Sequence, residues 1–171
     1  MTKHIERQIE SLKERILRLG TLVEEAISKS ITALINRDTS LAQRVIANDA
    51  EIDAMEVEVE EECLKMLALY QPVAADLRFV VAVLKINNDL ERMGDLARNI
   101  AKRVTQLEGG DPYDLPPEIR TMATQAQEMV RQCLDAVVKR DPTLARQVRE
   151  EDDIVDEARQ RIQRRVLQGI K

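Results

Sequence analysis

The stretch "VVAVLKINNDLERMGDLARNIAKRV", residues 80–104, decides the fold of this chain. Its apolar residues recur every three or four positions, which predicts an amphipathic helix over about residues 73 to 107. At about 100° per residue, one polar stripe falls on roughly the opposite side of that helix. The predicted apolar stripe is Phe79, Val83, Ile86, Leu90, Met93, Ala97, Ile100 and Val104. The predicted polar stripe is Asn88, Glu91, Asp95 and Asn99.

The composition predicts an all-α globular protein. Of the 171 residues, 44% are apolar and 33% charged, and good helix formers dominate. A net charge of −5 and an aromatic content of 2% argue against a dedicated nucleic-acid binder, which needs a basic face and stacking platforms. The sequence contains no signal-peptide core and no apolar run of about 18 residues, so the cytoplasm is the expected compartment.

Two further long helices precede residue 73. An apolar stripe beginning at Ile5 predicts the first helix, which stops at "NRDTS". Asp38 in that segment is a good N-cap for the second helix. Cys63 lies on the apolar stripe of the second helix, and we expect both Cys63 and Cys133 to be small buried residues rather than zinc ligands or disulfide partners.

The chain repeats itself at an offset of 103 residues. At this offset Arg37 and Asp38 align with Arg140 and Asp141, and the apolar positions around them also match. The breaker-rich segment "EGGDPYDLPPE" separates the copies. We therefore predict tandem three-helix units, with residues 1–107 as the first, 108–115 as the linker and 116–171 as the second.

The second unit is predicted to be truncated to a helical hairpin. At the same offset, Lys171 corresponds to Ala68, so nothing in the sequence matches the third helix of the first unit. Such a hairpin would expose an apolar seam. We expect another chain or the first unit to cover it.

Three pairs of acids lie four residues apart, one above the other on a helix face. Like charges so placed repel each other unless a cation compensates them. Their oxygens suit Mg²⁺, Mn²⁺, Ca²⁺ or iron, whereas a zinc or soft-metal site would need Cys and His. The candidate metal ligands are Asp49 and Asp53, Glu91 and Asp95, and Asp152 and Asp156.

The same pairs have a simpler interpretation as solvated helix surface. Arg92 and Arg98 lie three residues on either side of Asp95 and would neutralise it. Gly94 costs about 1 kcal/mol relative to Ala in a helix interior. We expect it to let a second backbone or a bound group come close. Spacing alone leaves metal binding and a solvated surface open.

Nothing in the sequence argues for an enzyme. His4 is the single histidine, which removes His-based catalysis and the Glu-x-x-His ligands of di-iron bundles. The segment "EGGDP" lacks the Lys-Ser/Thr pair and the preceding strand of a phosphate-binding loop.

Residues 80–104 resemble the signature helix of the PhoU family. The family's acid-x-x-x-Asp motif appears as Glu91 and Asp95, and its Asn-Ile-Ala segment as residues 99–101. The preceding "VAADLRFVVAVLKI" and the stretch "RDTSLAQRVIANDAEIDAMEVEVE" are similar to the family's third and second helices. The resemblance covers nearly the whole chain and implies the family's paired three-helix repeats, here without the last helix.

The resemblance implies a cytoplasmic, non-enzymatic regulator of phosphate transport and phosphate-starvation signalling. Its implied partners are the ATPase of the phosphate ABC transporter and a sensor histidine kinase, with no nucleic acid and with membrane contact only through those partners. It also implies a dimer, and a multinuclear metal cluster, iron among the candidates, held by Glu91, Asp95, Asp49 and Asp53, with Asp152 and Asp156 at a second site. A purely structural or oligomerising bundle, or an accessory unit of another anion transporter, remains the alternative.

Overall fold

The computed structural model describes residues 2–110 and 113–169 as five long helices without a strand. The helices are α1 (Thr2–Asn36), α2 (Thr39–Tyr70), α3 (Ala74–Gln106), α4 (Glu118–Lys139) and α5 (Pro142–Gly169). The all-α prediction is confirmed. Helix α3 begins one residue after the predicted start and ends one residue before the predicted end. The connection after α3 occupies residues 107–117, slightly more than the predicted linker, of which residues 111 and 112 lie outside the described part of the chain.

The turns after α1 and α4 have the same construction. Arg37 and Arg140 adopt left-handed backbone, with φ of 54° and 53°. Asp38 Oδ1 then accepts from the backbone N–H of Leu41 at 2.8 Å, as predicted for an N-cap. Asp141 Oδ1 accepts from the N–H of Leu144 at 3.1 Å. Because these residues are related by the offset of 103, the structure repeats the duplication found in the sequence.

The main core lies between α1, α2 and α3. Each of these helices packs against the other two, and their apolar stripes meet in a cluster of side chains that water does not reach. The fully buried members are Leu12, Ile16, Leu19, Val23, Val59, Cys63, Met66, Val80 and Val83. This three-helix bundle lies within residues 1–107, the range predicted for the first unit.

The fourth helix packs across α1 at a glycine. A Cβ built on Gly20 would lie 2.1 Å from Leu134 Cδ1, so only a residue without a side chain lets α4 come this close. Leu134 and Val130 of α4 consequently join the core of the first bundle. One face of α4 is thus covered by the first three helices.

The fifth helix packs on α4 alone among the described helices. Only two of its side chains, Val148 and Ala158, are buried. A groove of about 330 Å³ stays open between α3, α4 and α5. None of the described helices has a stretch long and apolar enough to cross a bilayer.

Two side chains at this groove differ from the prediction. Met93 was expected in the apolar stripe of α3 and is 36% exposed, and Cys133 was expected to be buried and is exposed. Both predictions were wrong for the same reason. Each side chain faces the groove, where no other described helix lies over it.

Candidate metal centre

The acid pair of α3 lies on the flank of the buried face rather than on the opposite side. Asn87 and Gly94 are buried together with the apolar stripe, which widens the buried face toward the acids. Glu91 and Asp95 are therefore half-buried. The remaining members of the predicted polar stripe, Asn88 and Asn99, are exposed as expected.

Asp95 meets the acid pair of α2. One carboxylate oxygen from each of Asp49, Asp53 and Asp95 lies within 4.8 Å of the other two. Within the described parts of the chain this is the one group of three or more Asp, Glu, His or Cys side chains so arranged. We call these three residues the aspartate cluster. Its formation follows from the packing of α2 on α3.

Arg98 joins the two halves of the aspartate cluster. Its Nη1 donates to Asp49 Oδ2 at 2.5 Å, and its Nη2 lies 2.8 Å from Asp95 Oδ1. The sequence predicted that an arginine three residues from Asp95 would neutralise it, and this contact confirms it for Arg98. The link to Asp49 was not predicted, since it joins residues 49 positions apart.

Asp49 is the deepest member of the aspartate cluster, with only 4% of its surface exposed. Its Oδ1 atom is buried and has no hydrogen-bond partner among the described residues. A buried carboxylate oxygen without a partner costs free energy, because it has lost its water and gained nothing in exchange. A bound cation would compensate that loss.

Negative charge accumulates around the aspartate cluster. Burial raises the pKa of Glu91, and so do the charge of Asp95, a side-chain hydrogen bond with Asp95, and the charges of Glu56 and Asp53. Burial and the charges of Asp49 and Asp95 raise the pKa of Asp53, against the opposing effect of Arg98. The pKa of Glu56 is raised by burial, then by Glu60 and Asp53. Each shift has the direction expected where carboxylates outnumber nearby cations.

Gly94 brings α3 close to the α2 side of the aspartate cluster. A Cβ built on Gly94 would lie 3.1 Å from Ile52 Cγ2 and 3.8 Å from Asp49 Oδ1. The atoms nearest to Gly94 thus belong to the side chains of Ile52 and Asp49, whereas a second backbone or a bound group was expected there. A larger residue would occupy space beside the unpaired oxygen.

The donor set fits a hard metal ion. All candidate ligands are carboxylate oxygens, which Mg²⁺, Mn²⁺, Ca²⁺ and iron accept. The residues that could hold an ion together are Asp49, Asp53 and Asp95. Glu91, the other acid of the α3 pair, lies outside this group of three.

Asn87 belongs to this region although no sequence pattern indicated it. It is 2% exposed, and its Nδ2 donates to the backbone carbonyl oxygen of Glu56 at 3.0 Å and to Glu56 Oε1 at 3.4 Å. The available signal was an asparagine directly after Ile86 and four residues before Glu91. Asn87 ties α3 to α2 one turn before the acid pair.

The PhoU domain family matches residues 16–104 and 119–171, which together make up most of the chain. The chain belongs to the PhoU family. The two matched segments agree with a tandem repeat. The turn between α1 and α2 and the turn between α4 and α5, which have the same construction, indicate the same repeat. The first PhoU segment contains the aspartate cluster and Glu91.

Several PhoU proteins align with nearly the whole chain. It is 40% identical over 161 residues to the phosphate-specific transport system accessory protein PhoU homolog of Aquifex aeolicus (strain VF5), covering 94% of this chain and 73% of that protein. It is also 40% identical over 162 residues to the homolog of that name in Pseudomonas aeruginosa, covering 91% of this chain and 66% of the relative. The chain spans about two thirds to three quarters of the length of these two relatives.

Solved PhoU structures share the fold. The crystal structure of PhoU from Pseudomonas aeruginosa superposes with a TM-score of 0.89 at 36% identity, covering 96% of this chain and 79% of that one. The phosphate transport system regulatory protein PhoU from Streptococcus pneumoniae gives a TM-score of 0.86 at 29% identity, covering 95% of this chain and 77% of that one. The five-helix arrangement is therefore a PhoU fold.

The acid pair of the second PhoU segment has different surroundings. Asp152 and Asp156 lie on α5 and are both exposed. Asp156 Oδ1 pairs with Arg159 of the same helix at 3.2 Å. Asp152 borders the groove beside Cys133. The described residues do not bring a third carboxylate to this pair, so the second site stays a prediction.

Proposed function

We propose that the protein is a non-enzymatic, cytoplasmic regulator of phosphate transport and of phosphate-starvation signalling. The observation that carries this proposal is membership of the PhoU family over most of the chain. Relatives named as accessory proteins of phosphate-specific transport systems support it. The partners we propose are the ATPase of the phosphate ABC transporter and a sensor histidine kinase. We also propose that this chain forms a homodimer.

Co-purification tests the proposed partners. The full chain is expressed with an affinity tag in phosphate-rich medium together with the phosphate transporter ATPase and the sensor kinase. We expect both to be retained, and the ATPase of a transporter for another substrate to pass through as the control. Retention of the control ATPase alone would instead favour an accessory unit of another anion transporter. Analytical ultracentrifugation of the purified chain tests the dimer.

A complementation assay tests the regulatory role. In a bacterium lacking its own PhoU protein, a reporter of phosphate starvation stays on at high phosphate, and we expect this chain to switch it off. A reporter that stays on, while the bacterium's own PhoU protein switches it off when restored, would contradict the proposal.

We further propose that the aspartate cluster and Glu91 bind a hard metal ion, iron or Mn²⁺ foremost. The unpaired, buried Oδ1 of Asp49 supports this role. When bound, the ion would supply positive charge that joins α2 to α3. The chain's own part is to hold oxygens from both helices within reach of one ion.

Metal analysis of paired variants tests the site. Glu91→Ala with Asp95→Ala should lose most of the bound metal. Glu150→Ala with Asp153→Ala removes two exposed acids of α5 and should keep it. An unchanged metal content in the first variant would contradict the site. No gain in thermal stability on adding Mn²⁺ or Fe³⁺ to the unaltered protein would favour a purely structural bundle.

A further inference from the structure

We propose that Arg98 is a built-in counter-ion of the aspartate cluster, which a metal ion must displace. In the absence of metal, its guanidinium bridges the carboxylates of Asp49 and Asp95. To bind both oxygens of Asp49 and both oxygens of Asp95, an ion must take over Asp49 Oδ2 and Asp95 Oδ1, which Arg98 holds. This inference rests on the metal site proposed above and adds its regulation.

The contacts of Arg98 place it in direct competition with a metal ion. The guanidinium donates to Asp49 Oδ2 on α2 and pairs with Asp95 Oδ1 on α3. Both acids belong to the aspartate cluster. An ion coordinated by these carboxylates would compete with Arg98 for the same oxygen lone pairs, because those lone pairs either accept guanidinium hydrogen bonds or coordinate a metal ion.

Arg98 leaves the aspartate cluster incompletely neutralised. One positive charge faces the three carboxylates of Asp49, Asp53 and Asp95. Asp49 Oδ1 keeps no hydrogen-bond partner among the described residues, although its companion oxygen is bonded to Arg98. A divalent or trivalent ion carries more charge than the arginine and reaches several oxygens at once. Exchange of Arg98 for metal is therefore favourable in charge.

Arg98 also has a route away from the aspartate cluster. Its side chain is 28% exposed although its Nε is buried, and the long stem is flexible, so the end of the side chain can turn toward solvent. Its Nε has no partner within the described structure. The ion pairs that hold the guanidinium head are thus made with the same carboxylates that would bind metal. Occupation of the site should release one arginine head to solvent, so the surface charge beside α2 and α3 would report the metal state.

Calorimetric titration of the metal-stripped full chain with Mn²⁺ alone tests the displacement. Arg98→Met keeps the length of the side chain and removes the competitor. We expect it to bind Mn²⁺ about tenfold more tightly than the unaltered protein, the equivalent of one charge-assisted hydrogen bond no longer lost. The matched control, Arg92→Met, removes the same charge from an exposed position of α3 and should bind as the unaltered protein does.

A second variant and a second measurement distinguish an effect on metal binding from a folding defect. Arg98→Lys keeps the charge but not the fork of two donors, and we expect intermediate Mn²⁺ affinity. Without metal, Arg98→Met should melt at a lower temperature than the unaltered protein, and Mn²⁺ should raise its melting temperature by more. Circular dichroism checks that each variant is helical before titration.

The outcomes separate the two proposals. Equal or weaker Mn²⁺ binding by Arg98→Met, or equal tightening in Arg92→Met, overturns the role of Arg98 and leaves the metal site standing. Absence of Mn²⁺ binding in all proteins overturns both. The phosphate-regulation proposal is judged separately, by co-purification and complementation.

Discussion

Asn87 Nδ2 donates a hydrogen bond of 3.0 Å to the backbone carbonyl of Glu56, from a side chain that is 2% exposed. This bond crosses from α3 to α2 one turn before the candidate metal ligands. Replacing Asn87 by Ala removes the bond and leaves a small cavity, so the free energy of unfolding should fall by about 1–3 kcal/mol. Urea denaturation followed by circular dichroism measures it.

The neighbouring asparagine provides the control for that experiment. Asn88 is exposed, and Asn88→Ala should change stability by no more than about 0.5 kcal/mol. Equal effects of the two substitutions would mean that the Asn87 bond does not hold the helices together.

A bulky side chain at Gly94 should separate α2 from α3. Even a Cβ at this position would lie 3.1 Å from Ile52 Cγ2, so Gly94→Leu forces the helices apart and costs about 1–3 kcal/mol of stability. It should also weaken Mn²⁺ binding, because the new side chain enters the space beside Asp49. Arg92→Leu, on the exposed side of α3, is the matched control. A Gly94→Leu protein with unaltered melting would refute the close approach.

The two cysteines should react at very different rates. Cys133 is exposed, whereas Cys63 is buried. A thiol-reactive disulfide reagent should therefore modify one thiol in the native protein and the second only after unfolding. Although Cys133 is exposed, its neighbours partly desolvate the thiol, and this desolvation together with the charge of Asp89 raises the pKa of Cys133, so its reaction should be slower than that of a free peptide thiol. In Cys133→Ser the native reaction should disappear, and a remaining fast thiol would contradict the packing of Cys63.

Alkaline pH should reduce the stability that Cys63 contributes. Burial, with Glu62 and Glu60 nearby, raises its pKa from 9.0 to about 12. The folded protein therefore holds a proton that the unfolded chain has released, and stability falls as pH rises through that window. The difference in unfolding free energy between the unaltered protein and Cys63→Ala should shrink from about pH 8 to about pH 11. A constant difference would contradict the raised pKa.

The last helix should open before the rest of the molecule. Among its residues only Val148 and Ala158 are buried, and Ile154, Val166 and Leu167 are at least half exposed. Helices with few buried contacts open locally at low free-energy cost. Amide hydrogen exchange read by mass spectrometry should be faster in α5 than in α1, α2 or α3. Equal protection throughout would show that α5 is stabilised by contacts beyond α4.

Local patterns predicted the helices well. The bounds of α3 follow from a periodic apolar stripe, and the N-cap at Asp38 follows from residue type, because both depend on neighbours in the sequence. The width of the buried face was less predictable. Asn87 is buried and Met93 is not, since burial depends on which distant helices cover each side.

The candidate site shows the same division. Four-residue spacing identified the acid pairs, and helix packing placed three of the aspartates together as expected. The bridge from Arg98 to Asp49 joins positions far apart in the sequence, so no local pattern reveals it. The unpaired Oδ1 of Asp49 can likewise be recognised only once α2 is packed against α3.

The matching turns at Arg37–Asp38 and Arg140–Asp141 bear on how the chain folds. Each is closed by hydrogen bonds within six residues, between the backbone N–H of the aspartate and a carbonyl of the preceding helix, at 2.9 Å from Asp38 to Ala33 and 2.8 Å from Asp141 to Ala136. Such contacts require almost no loop closure, so they form early. Each helical hairpin consequently carries its own starting point for folding, and the two halves can begin to fold independently before Gly20 and Leu134 bring them together.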